Sequence, residues 1–210
     1  MSEYLDIMKE VLNDSPERKF KESVELSVNL KDIDLSIPKN RIEEEVILPK
    51  GRGKEIRVAV FATGELALKS KDVADLVIKD DEIDDIAGDR REARKMANNH
   101  RFFLAEAPLM PLIGKKLGIV LGPRGKMPKP LPPGMDPAAM INSLRNTVKM
   151  RSRDRKTFQV PIGTRDMSPE DLTENLEVIF KRILSRLERG KQNIASAYIK
   201  TTMGPAKRLI

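Results

Sequence analysis

Between Glu55 and Gly118 short apolar runs alternate with amphipathic stretches three times over, a pattern that few folds accept. EIRVAVFAT, DLVI and HRFFLAEA read as buried strands. GELALKSKDVAD, DEIDDIAGDRREARKMANN (with a break at Gly88) and PLMPLIGKKLG read as the helices that follow them. Strands with no wet side, each followed by a helix, pair in parallel and are covered on both faces. DPAAMINSLRNTVKM adds one more helix, capped by Asp136 with Pro137 in its first turn.

The flanks carry a different period. In KESVELSVNL the residues Val24, Leu26, Val28 and Leu30 fall on one face, and Ser23, Glu25, Ser27 and Asn29 on the other. That is a strand with one wet side. FQVPIG reads as another strand. The helix after it starts at Ser168 and Pro169 and carries the stripe Leu172, Leu176, Ile179, Phe180, Ile183 and Leu187. SAYIKTT then returns as a last strand, with Ser196, Tyr198, Lys200 and Thr202 on one face. The expected fold class is therefore α/β with α+β. A split α+β domain, residues 1–52 and 156–210, is interrupted by a Rossmann-like three-layer α/β/α domain, residues 53–155.

Composition removes several function classes. The chain has no cysteine, so thiol catalysis and zinc–thiolate sites are excluded, and its only histidine, His100, lies at the start of an apolar strand and reads as structural. No catalytic, metal or cofactor site is expected. No apolar run is long enough to span a membrane, and no partnership with one is expected. High charge without cysteine fits a thermophile. The net charge of +7 is unevenly spread. Asp72–Asp89 holds eight acids and one base, whereas Ala107–Met135 holds no acid and five bases. A sided molecule follows, one side facing a polyanion and the other facing water.

The first βα turn of the middle segment, FATGE, has one glycine where a dinucleotide fingerprint needs three. A nucleotide-dependent enzyme on this domain is the alternative reading, and a plain scaffold is the stronger one. LGPRGKMPKPLPPG places Gly122 and Gly125 around Pro123-Arg124, followed by Lys126 and stiffened by Pro128, Pro130, Pro132 and Pro133. A Gly-x-x-Gly loop lets a phosphate backbone approach closely, and a rigid loop with incidental charge has the same composition. Aromatic residues are 4% of the chain, too few for base-stacking platforms. Hydroxyls beside one carboxylate and one ammonium, on two strands' wet sides, suit the 2′-hydroxyls and phosphates of a folded RNA instead.

TTMGP near the end, KFKESVE near the start and IGKKLGIVLGPRGKMP in the middle together resemble the ribosomal protein L1 family. The resemblance covers essentially the whole chain, and the short N-terminus and PKPLPPGMDP stretch look closest to the archaeal branch. It implies a two-domain protein of the cytoplasmic ribosome, without enzymatic activity. The implied partners are large-subunit rRNA at the stalk near the tRNA exit site, deacylated tRNA leaving that site, and a regulatory site on the protein's own mRNA, whose translation it represses. Off the ribosome the implied state is a monomer. Carried onto this chain, the RNA-binding residues are Lys19, Phe20, Ser23, Glu25, Ser196, Lys200, Thr202, Met203 and Gly204, with secondary RNA contacts at Arg124 and Lys126. Phe20 shares the parity of the core face, so a packing role competes there. Lys200 stands where a threonine is expected in bacterial relatives, which makes its contact ionic.

Overall fold

The structure, a computed structural model, describes residues 2–132 and 134–210, so Pro133 lies outside the described residues. In chain order the elements begin with α1 (Ser2–Asn13), β1 (Ser23–Leu30), β2 (Glu43–Ile47), β3 (Val58–Phe61), α2 (Gly64–Lys71) and β4 (Leu76–Ile78). Then come α3 (Asp80–Gly88), α4 (Arg90–Asn99), β5 (Phe102–Glu106), α5 (Met110–Leu121), β6 (Lys129–Leu131) and α6 (Pro137–Arg145). The last are β7 (Thr147–Arg151), β8 (Thr157–Thr164), α7 (Pro169–Arg186), β9 (Ile194–Thr201) and β10 (Lys207–Arg208). They form two compact units, Met1–Lys54 with Asn146–Ile210, and Glu55–Arg145.

The split unit is built on an antiparallel sheet in the order β10-β9-β1-β8. Val24, Leu26, Val28 and Leu30 of β1 are buried, with Val160 and Ile162 of β8 and Ile199 of β9. Met8 and Val11 of α1 and Leu172, Leu176, Ile179 and Ile183 of α7 cover them in one cluster. α7 begins as its sequence dictates: the Ser168 hydroxyl accepts the Asp171 N–H at 3.1 Å, and Pro169 fills the first turn.

The chain rejoins this unit at Asn146, ten residues ahead of the crossing expected at 155/156. The sequence pattern carries the preceding helix through Met150, but Thr147–Arg151 breaks away from it. It is strand β7, antiparallel to β2, with Glu43 opposite Arg151 and Glu45 opposite Lys149. Val148 and Met150 are buried while the two cations meet the two carboxylates, so tertiary pairing overrides a weak helical period.

The continuous unit is a parallel sheet in the order β4-β3-β5-β6. Ile83, Ala97, Ile113 and Leu117, from α3, α4 and α5, pack with Phe61 and Phe103 on one face; Ala67, Ile141 and Leu144, from α2 and α6, pack on the other. The break at Gly88 is a true restart, because the Asp89 carboxylate caps α4 through the Arg91 and Glu92 N–H groups at 2.7 and 3.3 Å. His100 is buried, its Nδ1 3.0 Å from the Met96 carbonyl and its ring edge-on to Phe103, which is a packing role.

Candidate nucleic-acid interface

Both helices of the split unit lie on one side of its sheet, and the other side is polar. β1 contributes Ser23, Glu25, Ser27 and Asn29 to it, and β9 contributes Ser196, Tyr198 and Lys200, all half-buried. The register sets Glu25 opposite Lys200, Ser27 opposite Tyr198, and Asn29 opposite Ser196. On the outer strands the exposed Thr157 and Gln159 of β8 and Arg208 of β10 extend it. Thr157 Oγ1 donates to Asn29 Oδ1 at 2.8 Å, and Asn29 Nδ2 donates to Ser196 Oγ at 2.7 Å. This ladder fixes the amide while leaving the Ser196 hydroxyl its own proton to donate outward.

The N-terminal end of β1 and the C-terminal end of β9 form an edge. The Ser23 N–H donates to Thr202 Oγ1 at 3.1 Å, and the Thr202 N–H donates to the Ser23 carbonyl at 3.0 Å. Thr201 points inward, fully buried, its hydroxyl 2.9 Å from that of Ser15. The strand stops there, so Met203 leaves the alternation that would have placed it with the core and is 59% exposed. Phe20 is 52% exposed, because β1 starts only at Ser23 and its parity does not reach back to residue 20. The expected packing role for Phe20 is thus replaced by an open apolar side chain. Lys19 is exposed beside it.

Gly204 serves a different need from the one its sequence position suggests. A Cβ there would collide with the hydroxyls of Ser15 and Thr201, and the Gly204 N–H donates to Thr201 Oγ1 at 3.0 Å. The glycine is demanded by the protein's own packing.

Glu22 is the residue that sequence reasoning missed. Only 1% exposed, it accepts the Met203 N–H on Oε1 at 2.9 Å, with Arg165 Nη1 3.8 Å from Oε2. Arg165 in turn donates to the carbonyls of Pro16 and Ser15, both at 2.7 Å. One carboxylate and one guanidinium therefore bind the segment before β1 to the loop after β9. The signal was present: Glu22 shares the parity of Val24 and Leu26, and a charged residue at core parity needs a partner.

In the continuous unit the Gly-x-x-Gly loop is a helix ending. The Lys126 N–H donates to the Leu121 carbonyl at 3.0 Å and the Gly125 N–H to the Gly122 carbonyl at 2.9 Å, with Gly125 at φ +63°. These are the paired bonds of a Schellman cap. Lys126 sends its ammonium to the carbonyls of Ala97 and His100 at the end of α4, at 2.5 and 2.8 Å. Burial first, then Arg101 and Arg124, hold its pKa below the usual lysine value. Arg124 is exposed, yet it too is drawn inward, to Val120 O at 3.0 Å and Asn98 Oδ1 at 3.3 Å.

The crevice where a doubly wound sheet takes a phosphate lies between the ends of β3 and β5. Here Glu106 Oε2 accepts both the N–H and the hydroxyl of Thr63, at 3.1 and 2.8 Å. An anion already holds that position. Among the described residues no three His, Cys, Asp or Glu side chains are placed to hold a metal ion, and no helix is long and apolar enough to cross a membrane.

Comparison with known proteins agrees with this architecture. The profile of the family described as "Ribosomal protein L1p/L10e family" matches residues 11–205. The large ribosomal subunit protein uL1 of Thermoplasma acidophilum is 55% identical over 197 residues, covering 94% of this chain and 91% of that protein. Its counterpart in Methanosarcina acetivorans is 51% identical over 207 residues, covering 98% and 97%. With a matched profile across nearly its whole length and such relatives, the chain belongs to the ribosomal protein L1 family, which is not a family of enzymes.

Proposed function

We propose that the protein is a component of the large ribosomal subunit, in the cytoplasm, and that the polar face of its split unit docks a prefolded rRNA. The names of its relatives, large ribosomal subunit protein uL1, support the assignment. The observation that carries it is an uncovered polar sheet face ending in two open apolar side chains, Phe20 and Met203. Hydroxyls and amides on β1 and β9 match 2′-hydroxyls and phosphates, and Phe20 and Met203 match the shape of unstacked bases at an irregular helix. The principal contacts are Lys19, Phe20, Ser23, Glu25, Ser196, Lys200, Thr202 and Met203, with Gly204 keeping the loop in place. Arg124 remains a secondary contact in the continuous unit, whereas Lys126 is better accounted for as a cap on α4.

The finer reading follows from the resemblance in the sequence. The rRNA element is the stalk near the tRNA exit site, where the protein assists release of deacylated tRNA. The same face binds a similar fold in the protein's own mRNA and represses its translation, and off the ribosome the protein is a monomer. Footprinting the protein on total cellular RNA tests both partners together. Protection of one stalk element and one message site is the expected result, lost in Phe20→Ala/Met203→Ala. A footprint unchanged by that double substitution refutes this face.

A further inference from the structure

The RNA face has a second end. β1 runs from the Thr202 edge at Ser23 to Leu30, and Lys31 stands eight residues from Ser23, roughly 26 Å along the strand. Around that end lie Lys31, Arg153, Arg155, Lys156, Arg189 and Lys191, all exposed. Among the described residues none of the six has its side chain in an ion pair or hydrogen bond, whereas several other cations of the same unit are taken up. Lys50 meets Asp171 and Glu174, Lys149 meets Glu43 and Glu45, Arg182 and Arg186 meet Glu44, and Lys207 meets Glu10 and Asp14. Three acids, Asp32, Asp154 and Glu188, are interspersed in the rim, so it keeps an excess of positive charge.

The backbone under these side chains is fixed. Asn193, 2% exposed, accepts the Arg189 N–H at 2.8 Å and donates to the carbonyls of Lys31 and Asp32 at 3.2 and 3.3 Å. The Lys31 N–H donates to the Asn193 carbonyl, and the Leu30 N–H to the Lys156 carbonyl, both at 2.8 Å. Three loops are thereby joined at one corner of the sheet. Asp32 and Arg153, the two non-glycine residues with left-handed backbone among those described, both sit here, each at φ 54°. Both mark tight turns that hold the loops of this corner in one conformation.

Resting on the reading of the sheet face as an RNA surface, we infer that this corner is a second anchor, where Lys31, Arg155, Lys156 and Lys191 grip the phosphate backbone of the same RNA. The Thr202 edge supplies shape and hydrogen bonds, and the Asn193 corner supplies charge. Free cations on a preordered backbone release counterions from a polyanion without first breaking an internal ion pair.

The test is a binding titration of the full chain with an RNA fragment carrying the large-subunit rRNA stalk, repeated across a potassium chloride series. Lys31→Ala/Arg155→Ala/Lys156→Ala/Lys191→Ala should flatten the log–log salt dependence by about three units, since each phosphate contact contributes roughly 0.7–0.9. Lys31→Arg/Lys156→Arg/Lys191→Arg should keep the wild-type slope. A loss of about one unit or more in the alanine set alone supports the anchor, and a smaller change overturns it. Phe20→Ala/Met203→Ala, measured in parallel, separates the two ideas. If it weakens binding while the alanine set leaves the slope alone, only the second anchor fails. If it leaves affinity intact, the sheet face itself is wrong and the anchor fails with it.

Discussion

The hydroxyl of Thr202 lies 3.1 Å from the backbone nitrogen of Ser23 and 3.3 Å from its carbonyl oxygen, so it can both accept from and donate to a residue 179 positions earlier. Thr202→Val keeps the shape and removes both bonds. Unfolding free energy should fall by about 1–2 kcal/mol, measured by chemical denaturation, and Thr202→Ser should restore most of it. Stability equal to the wild type would show that the hydroxyl's work is entirely outside the fold.

Gly204 has no room for a side chain between Ser15 and Thr201. Gly204→Ala should cost about 1–3 kcal/mol, seen as a lower melting temperature. Gly204→Ala combined with Ser15→Gly should recover part of that loss, because one of the two collisions is with the Ser15 side chain.

Glu22→Ala removes the acceptor of the Met203 N–H and the counter-charge of Arg165. A loss of about 1.5–3 kcal/mol is expected in equilibrium unfolding, since a hydrogen bond to a buried charge is lost and the guanidinium is left without it. Glu22→Gln keeps an oxygen for Met203 and should cost less. Both should also weaken RNA binding without changing its salt slope, because no phosphate contact is removed.

Lys126 tests the division between fold and function in the other unit. Lys126→Met should destabilise that unit, as carbonyls of Ala97 and His100 lose their donor, and should leave the salt slope of RNA binding unchanged. The folded lysine releases its proton at lower pH than the unfolded chain does. The unfolded state therefore holds more protons in the window between the two values, and stability should rise slightly with pH there. It should fall away again as pH drops through the folded value. Loss of that increment in Lys126→Met, followed by denaturation across the alkaline range, checks the sign.

Much of the polar sheet face was legible in strict alternation. KESVELSVNL and SAYIKTT each fix an inner and an outer side, and one-residue parity leaves no freedom once a face is buried. The parity argument failed where the strand had not begun, at Phe20, or had ended, at Met203, since strand limits depend on pairing partners that the local pattern does not contain. LGPRGK could not be told from a phosphate loop by composition, because a left-handed glycine serves a helix ending and a close approach equally well. Thr147–Arg151 was hidden for a related reason: its partner strand, β2, lies about a hundred residues earlier.

Ser23 and Thr202 are 179 residues apart in sequence, yet the polar edge of the sheet needs both. At translation rates of about 5–20 residues per second, β1 waits roughly 9–36 s for the neighbour that completes it. Until then the edge of β1 that β9 covers is unpaired, and the Ser23–Thr202 bonds are not made. The polar edge is thus closed only by the long-range pairing of β1 with β9, and its assembly follows the synthesis of Thr202.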